Sequence, residues 1–132
     1  MSRRLIAITV LVLGAALLGC GGSDSATTTG ARATTVSDPH GRISAKSGES
    51  IILSFAAEPG VGFSWTLSAN RPQGVLVKTG ERFVADTPGT VGGPAAQQFR
   101  FRATHAGAAH LTFRHEYRGK LRGTRAVTVG VG

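Results

Sequence analysis

Three regimes of apolar and polar residues follow one another along the chain. Behind Arg3 and Arg4, apolar residues are almost continuous from Leu5 to Leu18. Between Gly21 and about Gly41 they thin out into Gly, Ser, Thr and Ala. From Arg42 onward they return at every second residue, in short runs separated by Gly, Pro, Asn and Asp. Period two within runs and turn formers between them predict an all-β sandwich or barrel, and no stretch has helical period.

The strands can be placed by phase. Ile43 to Lys46 is a short first strand, followed by a turn at Lys46-Ser47-Gly48-Glu49. Ile51, Leu53 and Phe55 share one face of the next, with Ile52, Ser54 and Ala56 on the other. Phe63, Trp65 and Leu67 repeat the pattern. Val75 to Lys78 and Arg82 to Ala85 form an extended stretch interrupted at Thr79-Gly80. Phe99, Phe101 and Ala103 then alternate with Gln98, Arg100 and Arg102. After a turn at His105 to Ala108, Leu111, Phe113, His115 and Tyr117 fall in core phase, and Arg125 to Val131 closes the domain with Val127, Val129 and Val131 inward. The sum is about seven antiparallel strands over residues 42–132, the count of an immunoglobulin-like β-sandwich. Its aromatics read as core. Arg100, Arg102, Arg114 and Arg118 are expected on one outward face if their strands pair, as a solvated surface or a binding patch.

The N-terminal apolar run is too short for a comfortable membrane span, which takes about 20 residues. With its basic start and small residues at its end it reads as a secretory signal over residues 1–19. Leu17-Leu18-Gly19-Cys20 resembles the lipobox of bacterial lipoproteins, which implies that Cys20 carries lipid and becomes the mature N-terminus; the alternative is an unpaired cysteine near an ordinary cleavage site. Residues 20–41 are then the lipidated cysteine and a tether, with a mean reach on the order of 25 Å. The expected location is the bacterial cell membrane or outer envelope, exported and lipid-anchored.

Charge and residue types narrow the function. The formal charge is +8, and loss of Arg3 and Arg4 with the signal leaves +6. Such a surface suits anionic headgroups or an acidic partner, or is simply an arginine-rich solvated face; export on a lipid anchor argues against nucleic acid. Cys20 is the only cysteine, so disulfides, zinc–thiolate sites and a cysteine nucleophile are excluded together once it is lipidated. His110 and His115 are five apart and face opposite ways on a strand, His105 lies at a turn and His40 in the tether, which leaves no metal set. Ser64 and Ser68 occupy ordinary strand positions rather than a strained nucleophile turn, and the acids show no glycosidase pair. The chain is expected to be a non-enzyme without a cofactor.

Loops remain as the candidate functional elements. Glu58-Pro59-Gly60-Val61-Gly62-Phe63-Ser64-Trp65 combines a fixed proline φ with two permissive glycines and ends in aromatics two apart, which can pin the loop into a core. Thr90-Val91-Gly92-Gly93 lies in a second stretch too rich in Gly and Pro for a strand, and could also be a plain flexible connection. Tyr117-Arg118-Gly119 is a third bend. Pro59, Gly62, Phe63 and Trp65 fall in register with the first loop of the chagasin-like inhibitors of papain-type cysteine proteases. Gly92 and Gly93, with Phe99 and Phe101 after them, resemble that family's second loop and its next strand. Ala103, Gly107, Leu111 and Phe113 resemble the family's Ala-x-x-x-Gly-x-x-x-Leu-x-Phe run.

The resemblance implies a monomeric inhibitor whose three loops fill the active-site cleft of a papain-like cysteine protease: Glu58 to Phe63 over the nucleophile, with Thr90 to Gly93 and Tyr117 to Gly119 on the walls. It also has gaps. Glu58 stands for the family's Asn, Gly60 and Val61 for its two threonines, Thr90 for a glycine, and Tyr117-Arg118-Gly119 for Arg-Pro-Trp. Loss of the threonine hydroxyls and the added carboxylate imply weaker or redirected inhibition. The rival classes are an envelope lipoprotein using an immunoglobulin-like domain as a structural or protein-binding module, and an exported ligand-binding domain.

Overall fold

A computed structural model describes residues 33–89 and 92–132. Eight strands run in order among them: β1 (Ala33–Ser37), β2 (Gly41–Ala45), β3 (Ser50–Ala57), β4 (Phe63–Arg71), β5 (Leu76–Ala85), β6 (Ala95–Ala103), β7 (Gly107–Tyr117) and β8 (Lys120–Val131). They form two four-stranded sheets, ordered β1-β3-β6-β5 and β2-β8-β7-β4. The expected immunoglobulin-like sandwich is present. Its strand count is eight, and β1 with β3 and β2 with β8 pair parallel rather than antiparallel.

The core follows the alternation. Ile51, Leu53 and Phe55 of β3, Phe99, Phe101 and Ala103 of β6, Leu111 and Phe113 of β7, and Val127, Val129 and Val131 of β8 are buried between the sheets. Phe55 and Phe113 lie 4.6 Å apart by ring centroid, and Phe99 packs edge-on against both at 5.9 and 5.0 Å. Each such ring contributes about 1.5–3 kcal/mol on burial. A bulge between Lys78 and Gly80 accounts for the interruption in β5.

Two expectations need correction. Ala33–Ser37 fell within the segment read as tether, yet it forms β1, in register with Ser50 to Ser54. Composition misled because an edge strand is held by backbone pairing: Thr34 needs only its hydroxyl, which donates to Glu49 Oε1 at 2.9 Å, and the boundary drawn at residue 42 cuts β2. Second, the strands whose pairing would have joined the arginines do not pair: Arg100 and Arg102 lie on one sheet and Arg114 on the other, so they share no outward face. Ile52, on the face of β3 opposite Ile51, Leu53 and Phe55, is also only 7 % exposed. It is flanked by Thr35 of β1 and Arg100 of β6, and lines a shallow pocket together with Glu81, Arg82, Gln98 and Arg100. The signal at residues 1–19 and Cys20 lie outside the described residues. No helix among the described residues is long and apolar enough to cross a membrane.

Candidate functional site

All three bends connect strands at one end of the sandwich. The first comes after β3 and leads into β4, the second joins β5 to β6, and the third joins β7 to β8. Register places their stems side by side: Ala57 pairs with Ala95, Ala85 with Ala95, and Phe63 with Tyr117.

The first bend is a closed turn. The Glu58 carbonyl accepts hydrogen bonds from the amides of Val61, Gly62 and Phe63 at 3.0–3.1 Å, and the Glu58 amide donates to the Phe63 carbonyl at 3.2 Å. Pro59 precedes Gly60 on the outer side, and Val61, 43 % exposed, forms the apolar crest. Below, the Trp65 indole N–H donates to the Ala56 carbonyl at 2.9 Å, closing the loop base from the other side.

This turn touches both neighbours. A Cβ on Gly60 would lie 2.5 Å from Gly92 Cα and 2.7 Å from the Gly92 carbonyl oxygen, so the first and second bends approach at a distance only glycine allows. A Cβ on Gly62 would lie 2.8 Å from Arg118 Cγ, and the Arg118 amide donates to the Gly62 carbonyl at 2.9 Å. The third bend is a two-residue hairpin with positive φ at Arg118 (48°) and Gly119 (79°), the type I′ geometry that fits strand twist. Glu58, Pro59, Gly60, Val61, Gly62, Phe63, Gly92, Gly93, Tyr117, Arg118 and Gly119 are thus gathered at one tip. Thr90 and Val91 lie outside the described residues.

An aromatic ladder supports the tip. Phe55 stacks on Trp65 at 4.6 Å and Trp65 on His115 at 4.4 Å, and Phe63 packs at a tilt against Tyr117 at 4.6 Å. Phe63 and His115 also border a cavity of about 290 Å³ under the first bend, together with Ala56, Ala57, Glu58, Asp86, Pro94 and Ala95.

One supporting residue is not among those the sequence singles out. Gln97 is 1 % exposed in the row otherwise filled by Phe99 and Phe101. Its Oε1 accepts the Trp65 amide at 2.7 Å, and its Nε2 donates to the Trp65 carbonyl and to Glu81 Oε1, both at 2.7 Å. It fastens the free edge of β4 to the opposite sheet just beneath the first bend. A polar residue in core phase at a strand's beginning was the available signal.

Each histidine has its own local partner. His40 donates to the Asp38 carbonyl, His105 to the Gly74 carbonyl, His110 hydrogen-bonds Thr128 Oγ1 and His115 is held in the ladder. No group of three or more metal-ligating side chains occurs among the described residues. Two carboxylates are held below the ordinary range: Asp38 by its hydrogen bond and charge interaction with Arg125, and Glu49 by the Lys46 amide and the Thr34 hydroxyl. Both lie outside the three bends.

Residues 44–126 match the family model described as Chagasin family peptidase inhibitor I42. Among solved structures the chain is similar to the cysteine protease inhibitor EhICP2 from Entamoeba histolytica, with 15% identity and a TM-score of 0.62 over 76% of this chain and 96% of that one. It is also similar to amebosin, with 18% identity and a TM-score of 0.60 over 76% and 99%. At these identities the likeness is one of fold. No curated protein matches the sequence significantly.

Proposed function

The chain belongs to the chagasin family of peptidase inhibitors, and we propose on that premise that it blocks papain-like cysteine proteases by filling the active-site cleft with the three-loop tip. The observation that carries the proposal is the mutual contact of the bends, Gly60 against Gly92 and Gly62 against Arg118. Three separate connections thereby become one wedge. The cysteine-protease class rests on the loop signature of Pro59, Gly62, Phe63 and Trp65, and agrees with the name of the Entamoeba protein of the same fold.

Physically, such an inhibitor works by being ordered before it docks. Each immobilised side chain or loop segment costs about 0.5–1.5 kcal/mol on binding, and the hydrogen bonds around the Glu58 carbonyl remove much of that cost in advance. A closed turn also differs from the extended pose a protease cleaves. Glu58 to Phe63 would lie over the nucleophile, with Gly92 and Gly93 and Tyr117 to Gly119 against the walls; occlusion alone suffices, without a reaction. Val61 presents methyl groups where the family's threonine presents a hydroxyl, so the proposed contact at the catalytic cysteine is apolar and weaker.

The same proposal includes export on lipid at Cys20. The described chain begins at Ala33, which pairs with Ser50 at the end of β3 remote from the loops. With about 3.3 Å per residue over eight residues, the tip lies about 25 Å beyond that point. A membrane anchor on the N-terminal side would therefore leave the tip facing outward, toward proteases that approach the envelope.

The test uses the chain without residues 1–19 and with Cys20→Ser, titrated against papain and related enzymes with a fluorogenic substrate. Competitive inhibition in the micromolar range is expected, and capture on an active-site-blocked protease should accompany it. Nanomolar block would overturn the weakening ascribed to Gly60 and Val61. Absence of both inhibition and capture, with the chain folded, would leave a protein-binding module of another kind.

A further inference from the structure

The β7–β8 hairpin carries a concentration of positive charge that the wedge by itself does not require. Arg114, Arg118, Lys120, Arg122 and Arg125 fall within twelve residues, with Glu116 as the only acid. Two of the five are paired: Arg114 lies 3.6 Å from Glu116, and Arg125 lies 2.8 Å from Asp38. Arg118, Lys120 and Arg122 are exposed and have no carboxylate at ion-pair distance among the described residues.

The two arginines are also held in place. The Arg118 and Arg122 guanidinium carbons lie 5.2 and 5.3 Å from the Tyr117 ring centroid, where the ring's negative face attracts a cation. The Tyr117 ring itself packs at a tilt against Phe63, and the hairpin is tied to the first bend through the Arg118 amide. Leu121, 51 % exposed, adds an apolar contact beside them.

Resting on the proposed function, we infer that this hairpin is an electrostatic arm that selects proteases whose cleft wall on that side is acidic. It steers the encounter and then pairs with wall carboxylates through Arg118, Lys120 and Arg122. A lipid surface is the less fitting anionic partner, because the hairpin sits at the end of the sandwich opposite the entry of the chain at Ala33. Steering of this kind raises association rates about 10- to 1,000-fold and weakens as salt shortens the Debye length, which is about 8 Å at 0.15 M.

The experiment measures association and dissociation rates for a papain-like protease that the wild-type chain inhibits and whose wall is acidic. Lys120→Gln/Arg122→Gln is compared with Arg100→Gln/Arg102→Gln, an equal loss of charge on the outer face of the other sheet, where Arg102 pairs with Ser50 far from the tip. The hairpin pair should lower the association rate about tenfold at low salt and flatten its salt dependence, with a smaller effect on dissociation. The sheet pair should change it less than twofold. Neutralising the protease's wall carboxylates should reproduce the hairpin effect. Equal effects of the two pairs, or none, would overturn the inference while leaving inhibition intact. Loss of binding to vesicles containing anionic lipid, with unchanged protease rates, would also overturn it and assign the arm to membrane. Failure of the wild-type chain to inhibit any papain-like protease would remove the proposed function and this inference with it.

Discussion

Replacing Gly60 by alanine tests whether the three bends act as one body. The backbone at Gly60 is outside the left-handed region, so alanine is not disfavoured by its own φ. The new methyl would instead stand 2.5 Å from Gly92 Cα, 2.7 Å from its carbonyl oxygen and 3.0 Å from its carbonyl carbon. Carbon atoms rest at about 3.5–4.0 Å, so the first and second bends must part by about 1 Å. Overpacking of this kind costs about 1–3 kcal/mol in a rigid core. At an exposed tip the bends yield, and the lower entropy of the unfolded alanine chain offsets about 0.4–1 kcal/mol. Net destabilisation should be about 1 kcal/mol or less, a fall in Tm of no more than about 4–8 °C. Inhibition should suffer more, because the wedge changes width where it must fit: a tenfold to hundredfold rise in Ki, about 1.4–2.7 kcal/mol. Gly80→Ala is the control, since its Cβ meets nothing within 4 Å and its backbone is likewise not left-handed. Backbone amide spectra report the displacement at Gly92 and Gly93 separately from inhibition. Displaced Gly92 resonances with an unchanged Ki would refute the single-wedge reading, and unmoved resonances would refute the contact itself.

Other expectations concern the supports of the tip. Gln97→Ala removes three hydrogen bonds of 2.7 Å and strands the Trp65 amide and carbonyl; with each unsatisfied buried group costing about 1–3 kcal/mol, urea denaturation should show a loss of about 2–5 kcal/mol. Trp65→Phe keeps a ring in the ladder but loses the bond to the Ala56 carbonyl, so stability should fall by about 1 kcal/mol, with faster amide exchange at Val61 and Gly62. Asp38 and Glu49 have lowered folded-state pKa values, so their stabilising contribution is present above the ordinary carboxylate range and is lost as pH falls below about 4 and through the folded values. Asp38→Asn and Glu49→Gln should each flatten the acid limb of a stability profile, and exchange at β1 should rise first, because Glu49 holds Thr34.

Most of the sandwich was legible because its core strands keep period two over most of their length, β6 most cleanly: Phe99, Phe101 and Ala103 face in, Arg100 and Arg102 face out, and their burial agrees. The elements that were not legible lacked a side-chain signature. β1 is held by parallel backbone pairing to β3, and nothing in Ala33-Thr34-Thr35-Val36-Ser37 distinguishes a strand that borrows its partner's backbone from a polar tether. The burial of Ile52 was not legible either, because alternation reports which way a side chain points, not what surrounds it. The assignment of arginines to a common face failed for a related reason: phase fixes inside and outside within a sheet, whereas membership of a sheet depends on long-range pairing, and β6 and β7 belong to different ones.

The tip shows the opposite balance. Glycine marks positions where a side chain is forbidden, but a sequence does not say what forbids it. Gly60 and Gly62 could have served turn geometry alone; instead one is required by Gly92 and the other by Arg118, on two other connections. Gly62 meets both demands, with φ at 107° and a neighbour in the way. Gly119 meets only the turn's, since a Cβ there would meet nothing within 4 Å. Substitution at Gly119 therefore strains one hairpin, while substitution at Gly60 shifts one bend against another. That difference separates a residue that shapes a loop from one that joins loops together, and the joining residues are the ones on which a shared contact surface depends.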